Sequence, residues 1–345
     1  MINLKNMVQK PSSADMVNLF LGGSTMLNLN KTVLIIFFII LISCVFIPIN
    51  CHAEIITIMA ANISSGNNQS YEGPGIRIFQ GLEPDVVLIQ EFEYNSGSLR
   101  DLVDLAFGSD YEYYIEGGNE NIPNGIVSRF PIIDSGEWND PHVPDRDFAW
   151  AIIDIPGDKH LQCISVHFKA SSSSSGVRTQ QAQAIVSHIA SNFDPDDYIV
   201  LGGDLNTSSA GEQALTVLNG ALAVTTHIPV DQNGNRNTSE PRSKPYDWCI
   251  PNDTLDAHHT TLTIGSSTYP NGLVFDSEVY TPLSEVSPVQ YGDSHVFGMQ
   301  HMAVMKAFDI PSSSATHTPT PTRTPTNTPT RTPTTSVPPT WTPTP

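Results

Sequence analysis

Basic residues are scarce in this 345-residue chain: 16 Lys and Arg stand against 35 Asp and Glu, for a formal net charge of −19. Holding nucleic acid by charge alone requires Lys and Arg to neutralise phosphates, so that mode of binding is excluded. A polyanionic substrate stays open if divalent cations bridge carboxylates to phosphate. Cysteine is scarce too, four in all, and no Cys/His spacing suits zinc. Cys163 and Cys249 are the only two beyond residue 51. In an oxidising compartment they could pair, and two free buried thiols are the equal alternative. The chain also lacks a glycine-rich phosphate loop and any internal repeat.

Only one long apolar run is present, at residues 33–49, with Lys31 just upstream and Cys51-His52-Ala53 downstream. It has the form of a secretory signal cleaved near Ala53, and it is slightly short for a full membrane span. Met26 is the preferred start, because the residues ahead of it make an unusually long leading region. An uncleaved anchor and a lipoprotein box at Leu41-Ile42-Ser43-Cys44 are the alternatives. At the far end, residues 311–345 form a Thr/Pro-rich tract, including Thr318-Pro319-Thr320-Pro321. Such a sequence cannot bury a core and is expected to be an extended linker, tethering the body to a surface or to a further module.

Residues 54–310 lie within the range of one large domain. Alternating strand and helix signals run through it. Strands are expected at 55–60, 85–91, 111–115, 125–128, 148–155, 161–166, 198–201, around Trp248, 273–280 and 302–308. Helices are expected at 75–82, 98–107, 177–192 and 210–218. This mixture predicts an α/β fold with two packed sheets covered by helices.

The run Tyr198-Ile199-Val200-Leu201 leads into Gly202-Gly203-Asp204-Leu205-Asn206. It reads as a buried strand entering a tight glycine turn, with Asp204 and Asn206 pointing the same way from an extended chain. A carboxylate beside a neutral amide suits metal-assisted chemistry on a phosphate ester. Gly-Asp-x-Asn also occurs in ordinary turns. Other polar residues mark strand ends in the same manner: Asn62, Glu91, His167, Asp247 before Trp248, and His301. Each alone has an ordinary reading as a turn residue or a structural histidine.

Together and in this order they resemble the endonuclease/exonuclease/phosphatase superfamily, the DNase I-like group of nucleases, sphingomyelinases and inositol-polyphosphate phosphatases. The pieces that carry the resemblance are Gln90-Glu91, Gly203-Asp204-Leu205-Asn206 and the terminal His301 strand with Phe308. Asn62, Asn124-Gly125-Ile126-Val127-Ser128-Arg129-Phe130-Pro131 and Ser165-Val166-His167 support it. The resemblance spans residues 55–309 and implies a four-layered α/β sandwich, two facing mixed sheets flanked by helices, with the site at one edge. It implies that Glu91 binds an essential Mg²⁺ beside Asn62, with Mn²⁺ or Ca²⁺ as other candidates. Asp204 is then the residue that orients or deprotonates water, and Asn206 a donor to a phosphoryl oxygen. His301 contacts the scissile phosphate, Asp247 holds His301, and His167 sits near the leaving group. Arg146 is a weak match for a further cationic contact, a solvated surface Arg being the alternative.

One departure stands out. The family writes Ser-Asp-His before its last strand, whereas Gln300 precedes His301 here. Asp293-Ser294-His295 could return that carboxylate through a loop, and His295 competes with His301 for the catalytic role.

The implied activity is a secreted or surface-anchored metal-dependent phosphoesterase, foremost a phosphodiesterase on nucleic acid, working as a monomer. Phospholipid or inositol-phosphate hydrolysis is the next reading, although no Trp/Phe-rich loop for membrane insertion is evident and Trp138 and Trp150 read as packing residues. A degenerate binding module is the third. Specificity is expected in the loops at 117–124 and 225–245.

Overall fold

Period-two alternation sorts the long strands into two buried faces each. In the computed structural model, which describes residues 53–63, 72–117 and 122–311, the chain opens with β1 (Glu54–Ala61), α1 (Glu72–Leu82), β2 (Val86–Ile89), α2 (Leu99–Ala106), β3 (Glu112–Ile115), β4 (Gly125–Ser128) and β5 (Ile132–Trp138). It continues with β6 (Phe148–Ile153), β7 (Leu161–His167), α3 (Ser175–Asn192), β8 (Tyr198–Asp204), α4 (Gln213–Leu218), β9 (Asp247–Pro251) and α5 (Asp253–Asp256). The last elements are β10 (His259–Thr260), β11 (Leu262–Ile264), β12 (Ser267–Tyr269), β13 (Leu273–Phe275) and β14 (Ala303–Ile310). The apolar run at 33–49, with its signal, anchor and lipoprotein readings, lies outside the described residues. So do the Thr/Pro tract from 312 onward and positions 118–121 of the 117–124 loop.

A seven-stranded sheet has the order β10-β14-β1-β2-β4-β3, with β13 beside β14, and a five-stranded sheet has the order β5-β6-β7-β8-β9. Both are mixed: β1 with β2 and β7 with β8 run parallel, and their other partners antiparallel. Three apolar clusters separate four layers. Met59, Ala61, Val87 and Ile89 meet Ile78, Phe79, Leu102 and Val103 of α1 and α2. Ile58, Ala60, Val86 and Leu88 meet Cys163, Val200 and Cys249 between the sheets. Ile164, Val166, Ile199 and Leu201 meet Ala182, Ile185, Ile189 and Leu215 of α3 and α4. This is the expected α/β sandwich.

The glycines before Asp204 act differently from the expectation. β8 continues through Gly202 and Gly203 to Asp204 instead of turning after Leu201. A Cβ at Gly202 would stand 2.6 Å from Leu88 Cδ1 and 3.1 Å from Ala60 Cβ, atoms of the facing sheet. At Gly203, with φ of +138°, it would stand 2.1 Å from the Val166 carbonyl oxygen and 2.6 Å from Gln90 Nε2. The pair therefore lets the two sheets approach at the site. Gly202→Ala is expected to lower the unfolding free energy by roughly 1–3 kcal/mol, as overpacking of a dense core does. Urea unfolding of the variant beside the parent checks this.

Several elements are shorter than the sequence pattern predicts, or absent from it. The strand expected at 85–91 ends at Ile89, and that at 273–280 ends at Phe275. β5 escapes the pattern because Asp134, Ser135 and Glu137 give it little apolar alternation, as suits an edge strand. The buried stripe of α3 includes Arg178 and Gln181 among Ala182, Ile185 and Ile189. Arg178 is paired there with Glu212 and donates to the carbonyls of Lys169 and Ser171 at 2.9 and 2.7 Å. Trp138 and Trp150 pack with Phe193, as expected. Cys163 and Cys249 are free and buried. They face Val200 and Gly202 from opposite sides of β8, so two interstrand spacings of about 4.8 Å separate them, beyond the reach of a disulfide.

Candidate active site

The strand registers bring the polar strand ends together. Across the five-stranded sheet His167 lies opposite Asp204, and Asp204 opposite Asp247. Across the seven-stranded sheet Ala61 lies opposite Ile89, which places Asn62 next to Gln90 and Glu91. β14 runs antiparallel to β1, with Val304 opposite Ala60, so His301 arrives beside Asn62. Gln90 stitches the two sheets: its Nε2 donates to Ser165 Oγ at 2.8 Å, and Ser165 Oγ donates to the Ile89 carbonyl at 2.9 Å.

Asp204 is the hub. Its Oδ2 lies 3.2 Å from His167 Nε2, 3.6 Å from His301 Nε2 and 3.5 Å from Asn62 Nδ2. His301 Nδ1 pairs with Asp247 Oδ2 at 3.0 Å, and its Nε2 lies 3.4 Å from Asn62 Nδ2. Thr238 Oγ1 accepts the Asp247 backbone N–H at 2.7 Å. Asn62, His167, Asp204, Asn206, Asp247 and His301 are all buried, and Glu91 is half-buried.

Asn206 departs from the expectation. Its φ is +50°, so the chain has left the extended form, and the left-handed conformation is one that Asn tolerates. The side chain turns back: Nδ2 donates to Asp204 Oδ2 at 2.9 Å and to the Phe168 carbonyl at 3.1 Å, while its backbone N–H donates to Asp204 Oδ1 at 2.8 Å. With both amide protons so engaged, Asn206 orients Asp204 in this arrangement and does not offer a donor to phosphate. Glu91 shares the left-handed conformation, also at +50°, a strained backbone of the kind that clusters at functional sites.

Gly125 helps to seat that turn, since a Cβ there would stand 2.4 Å from Phe92 Cδ1. The neighbouring Asn124 donates to Glu116 Oε1 and to the Asp147 carbonyl, both at 2.8 Å. Burial pushes the Glu116 carboxyl up to about 8, against the hydrogen bonds from Asn124 and Asp147. A carboxyl raised on folding contributes stability fully below its ordinary range, and that contribution is lost as pH rises through about 8. Thermal melts between about pH 5 and 9 are expected to fall with pH in the parent and less steeply in Glu116→Gln.

The charges at the hub are set by one another. Burial alone would raise the Asp204 carboxyl, but His301 and His167 outweigh it and hold Asp204 below its ordinary value. Asp247 is pushed up to about 6, chiefly by burial. Burial opposes a charge on His301, yet Asp247 and Asp204 overcome it and raise the imidazole to about 9. At neutral pH the arrangement is an imidazolium between carboxylates.

The alternative motif does not reach the site. Asp293 is held by Arg77, with Nε at 3.0 Å and Nη2 at 2.5 Å. His295 Nε2 pairs with Asp276 Oδ1 at 2.9 Å, in a network where Arg242 clamps Asp276 and Asp231. Arg146 is buried and not solvated, its Nε donating to the His167 carbonyl at 2.7 Å and its Nη2 to that of Phe168 at 3.3 Å. It braces the end of β7. Tyr246, with its ring 5.7 Å from that of His301, escaped sequence reasoning although it adjoins Asp247.

The donor set fits a hard divalent cation. Asn62 Oδ1 is buried with no hydrogen-bond partner among the described residues. Glu91 Oε1 lies 3.4 Å from Nδ2 of the same amide. Oxygen donors of this kind suit Mg²⁺, Mn²⁺ or Ca²⁺. Ligand atoms of Asp204, Asp247 and His301 also lie within 4.8 Å of one another and could hold an ion, although they already bond among themselves.

A family model described as the Endonuclease/Exonuclease/phosphatase family matches residues 76–342. No curated protein matches the chain. Among solved structures, TDP2 from Caenorhabditis elegans has a TM-score of 0.52 at 14% identity, covering 74% of this chain and 74% of that one. An endonuclease/exonuclease/phosphatase from Beutenbergia cavernae DSM 12333 has a TM-score of 0.51 at 15% identity, covering 74% and 72%. At these identities the likeness is one of fold.

Proposed function

Because the chain belongs to the endonuclease/exonuclease/phosphatase family, whose members hydrolyse phosphoric esters, we propose that it is a divalent-metal-dependent phosphodiesterase acting on nucleic acid. The observation that carries this reading is the buried array of His167, Asp204, Asp247 and His301 beside the oxygens of Asn62 and Glu91. Asp204, ionised and fixed by Asn206, orients or deprotonates a water for in-line attack on phosphorus. His301, charged and held by Asp247, donates from Nε2 to a phosphoryl oxygen as negative charge builds. His167 lies on the other side of Asp204 and faces the departing oxygen, to which a proton returns. Glu91 and Asn62 would hold Mg²⁺, with Mn²⁺ or Ca²⁺ as other occupants, and the bound ion would neutralise phosphate charge and orient the ester.

The acidic balance and the apolar run at 33–49 support a secreted or surface-anchored enzyme, with residues 54–310 as its catalytic body and the Thr/Pro tract as a tether. A second reading has its own observation. Phe297 is 94% and Tyr291 70% exposed on the segment that leads to His301. Exposed aromatics of this kind suit a lipid surface, and the two are single residues six apart that form no Trp/Phe-rich run in the sequence.

A substrate panel decides between these. Single- and double-stranded DNA, RNA, sphingomyelin vesicles, inositol phosphates and a chromogenic diester are each incubated with Mg²⁺, Mn²⁺, Ca²⁺ or a chelator. Turnover of nucleic acid that the chelator abolishes is expected. Turnover of sphingomyelin alone, or of nothing, overturns the proposal.

A further inference from the structure

Tyr246 is half-buried, and its ring lies tilted by 44° at 5.7 Å from the ring of His301, so it walls the site. Its carbonyl accepts the Leu205 N–H at 2.8 Å, which ties it to the turn after Asp204. Lys244 Nζ stands 5.8 Å from the centroid of that ring. The backbone of Lys244 is fixed as well. Its carbonyl accepts the N–H groups of Thr238 and Ser239, both at 2.9 Å, and its own N–H donates to Ser239 Oγ at 3.0 Å. The same turn holds Asp247 through Thr238 and pairs Ser239 with His301.

Lys244, like Arg236 over the neighbouring Trp248, is a cation near the site that no described carboxylate holds, whereas other basic side chains of the body are engaged. Arg77 is occupied by Asp293, Arg146 by Asp145 and two carbonyls, and Arg242 by Asp231 and Asp276. Among the described residues Lys244 has no carboxylate within ion-pair distance, in a chain with 35 acidic residues. A lone ammonium beside a phosphoesterase centre attracts a second anion and repels a second cation. A polynucleotide carries another phosphate one nucleotide from the scissile bond. A choline phospholipid carries a quaternary ammonium in that neighbourhood instead.

We propose that Lys244 and Tyr246 form a binding subsite for the nucleotide adjoining the scissile phosphate, with Lys244 on the neighbouring backbone phosphate and Tyr246 against its sugar or base. This inference rests on the nucleic-acid reading above. It assigns the substrate as a strand with at least two phosphates. Aromatic contact supplies the affinity that a basic groove supplies elsewhere, and it is indifferent to base identity.

The test compares kcat/KM on a short single-stranded oligonucleotide with that on a single-phosphate chromogenic diester. Lys244→Ala is expected to lower the ratio of the two about tenfold and to reduce the slope of log KM against log salt on the oligonucleotide by about one. Lys244→Arg restores the slope. Tyr246→Ala raises the oligonucleotide KM about tenfold and Tyr246→Phe does not, since the ring face and not the hydroxyl makes the contact. Equal losses on both substrates, or an unchanged salt slope in Lys244→Ala, overturn the subsite while leaving the nuclease reading in place. A parent enzyme that cleaves no nucleic acid overturns both.

Discussion

His301→Ala lowers kcat on the phosphodiester substrate by about a thousandfold, the loss expected when an oriented charged donor to the transition state is removed. His301 is the only histidine of the two candidates that meets Asp204 and Asp247, at 3.6 and 3.0 Å. His295→Ala, whose imidazole serves the Asp276 network, keeps kcat close to that of the parent. Full activity in His301→Ala would falsify the assignment. The pH profile gives a second readout. Against burial, Asp247 and then Asp204 raise His301 to about 9. The charged donor is therefore present below about 9 and lost above it, which gives an alkaline limb to kcat. Asp247→Asn removes the larger of the two raising charges and moves that limb to lower pH. A limb that stays in place in Asp247→Asn shows that a different group titrates there.

Glu91→Gln is expected to cost about as much, again near a thousandfold in kcat at low metal, because one neutral oxygen replaces the carboxylate that would hold the cation. Direct titration of Mg²⁺ or Mn²⁺ by calorimetry separates this from a folding defect. Binding weakens strongly in Glu91→Gln and less in Asn62→Ala, since a neutral amide contributes less to a hard dication than a carboxylate does. The titration also chooses between the two donor sets. If Asp204→Asn abolishes metal binding while Glu91→Gln spares it, the ion belongs among Asp204, Asp247 and His301, and Glu91 and Asn62 lose their place as its ligands.

Much of the fold was legible because a strand buried on both faces writes itself as a short apolar run, and Val86–Ile89 and Tyr198–Leu201 are such runs. β5 and the β11–β12 hairpin were illegible because edge strands and small hairpins carry polar residues on open faces. The site was legible as residue types. Asn62, Glu91, His167, Asp204, Asp247 and His301 stand at strand ends in the sequence pattern, and the registers bring them together.

Local pattern and order along the chain were enough for the family, the two-sheet architecture and the polar residues offered at the strand ends. Folding was needed to settle which histidine meets Asp247, across 54 residues, and which amide meets His301, across 239. Folding also settled that Gly202 and Gly203 serve sheet contact, that Asn206 faces Asp204, and that Lys244 stands over the ring of Tyr246. The physical reason is that strand periodicity is a property of neighbours in sequence. Burial, pairing and close approach belong to atoms that only the tertiary fold brings within reach.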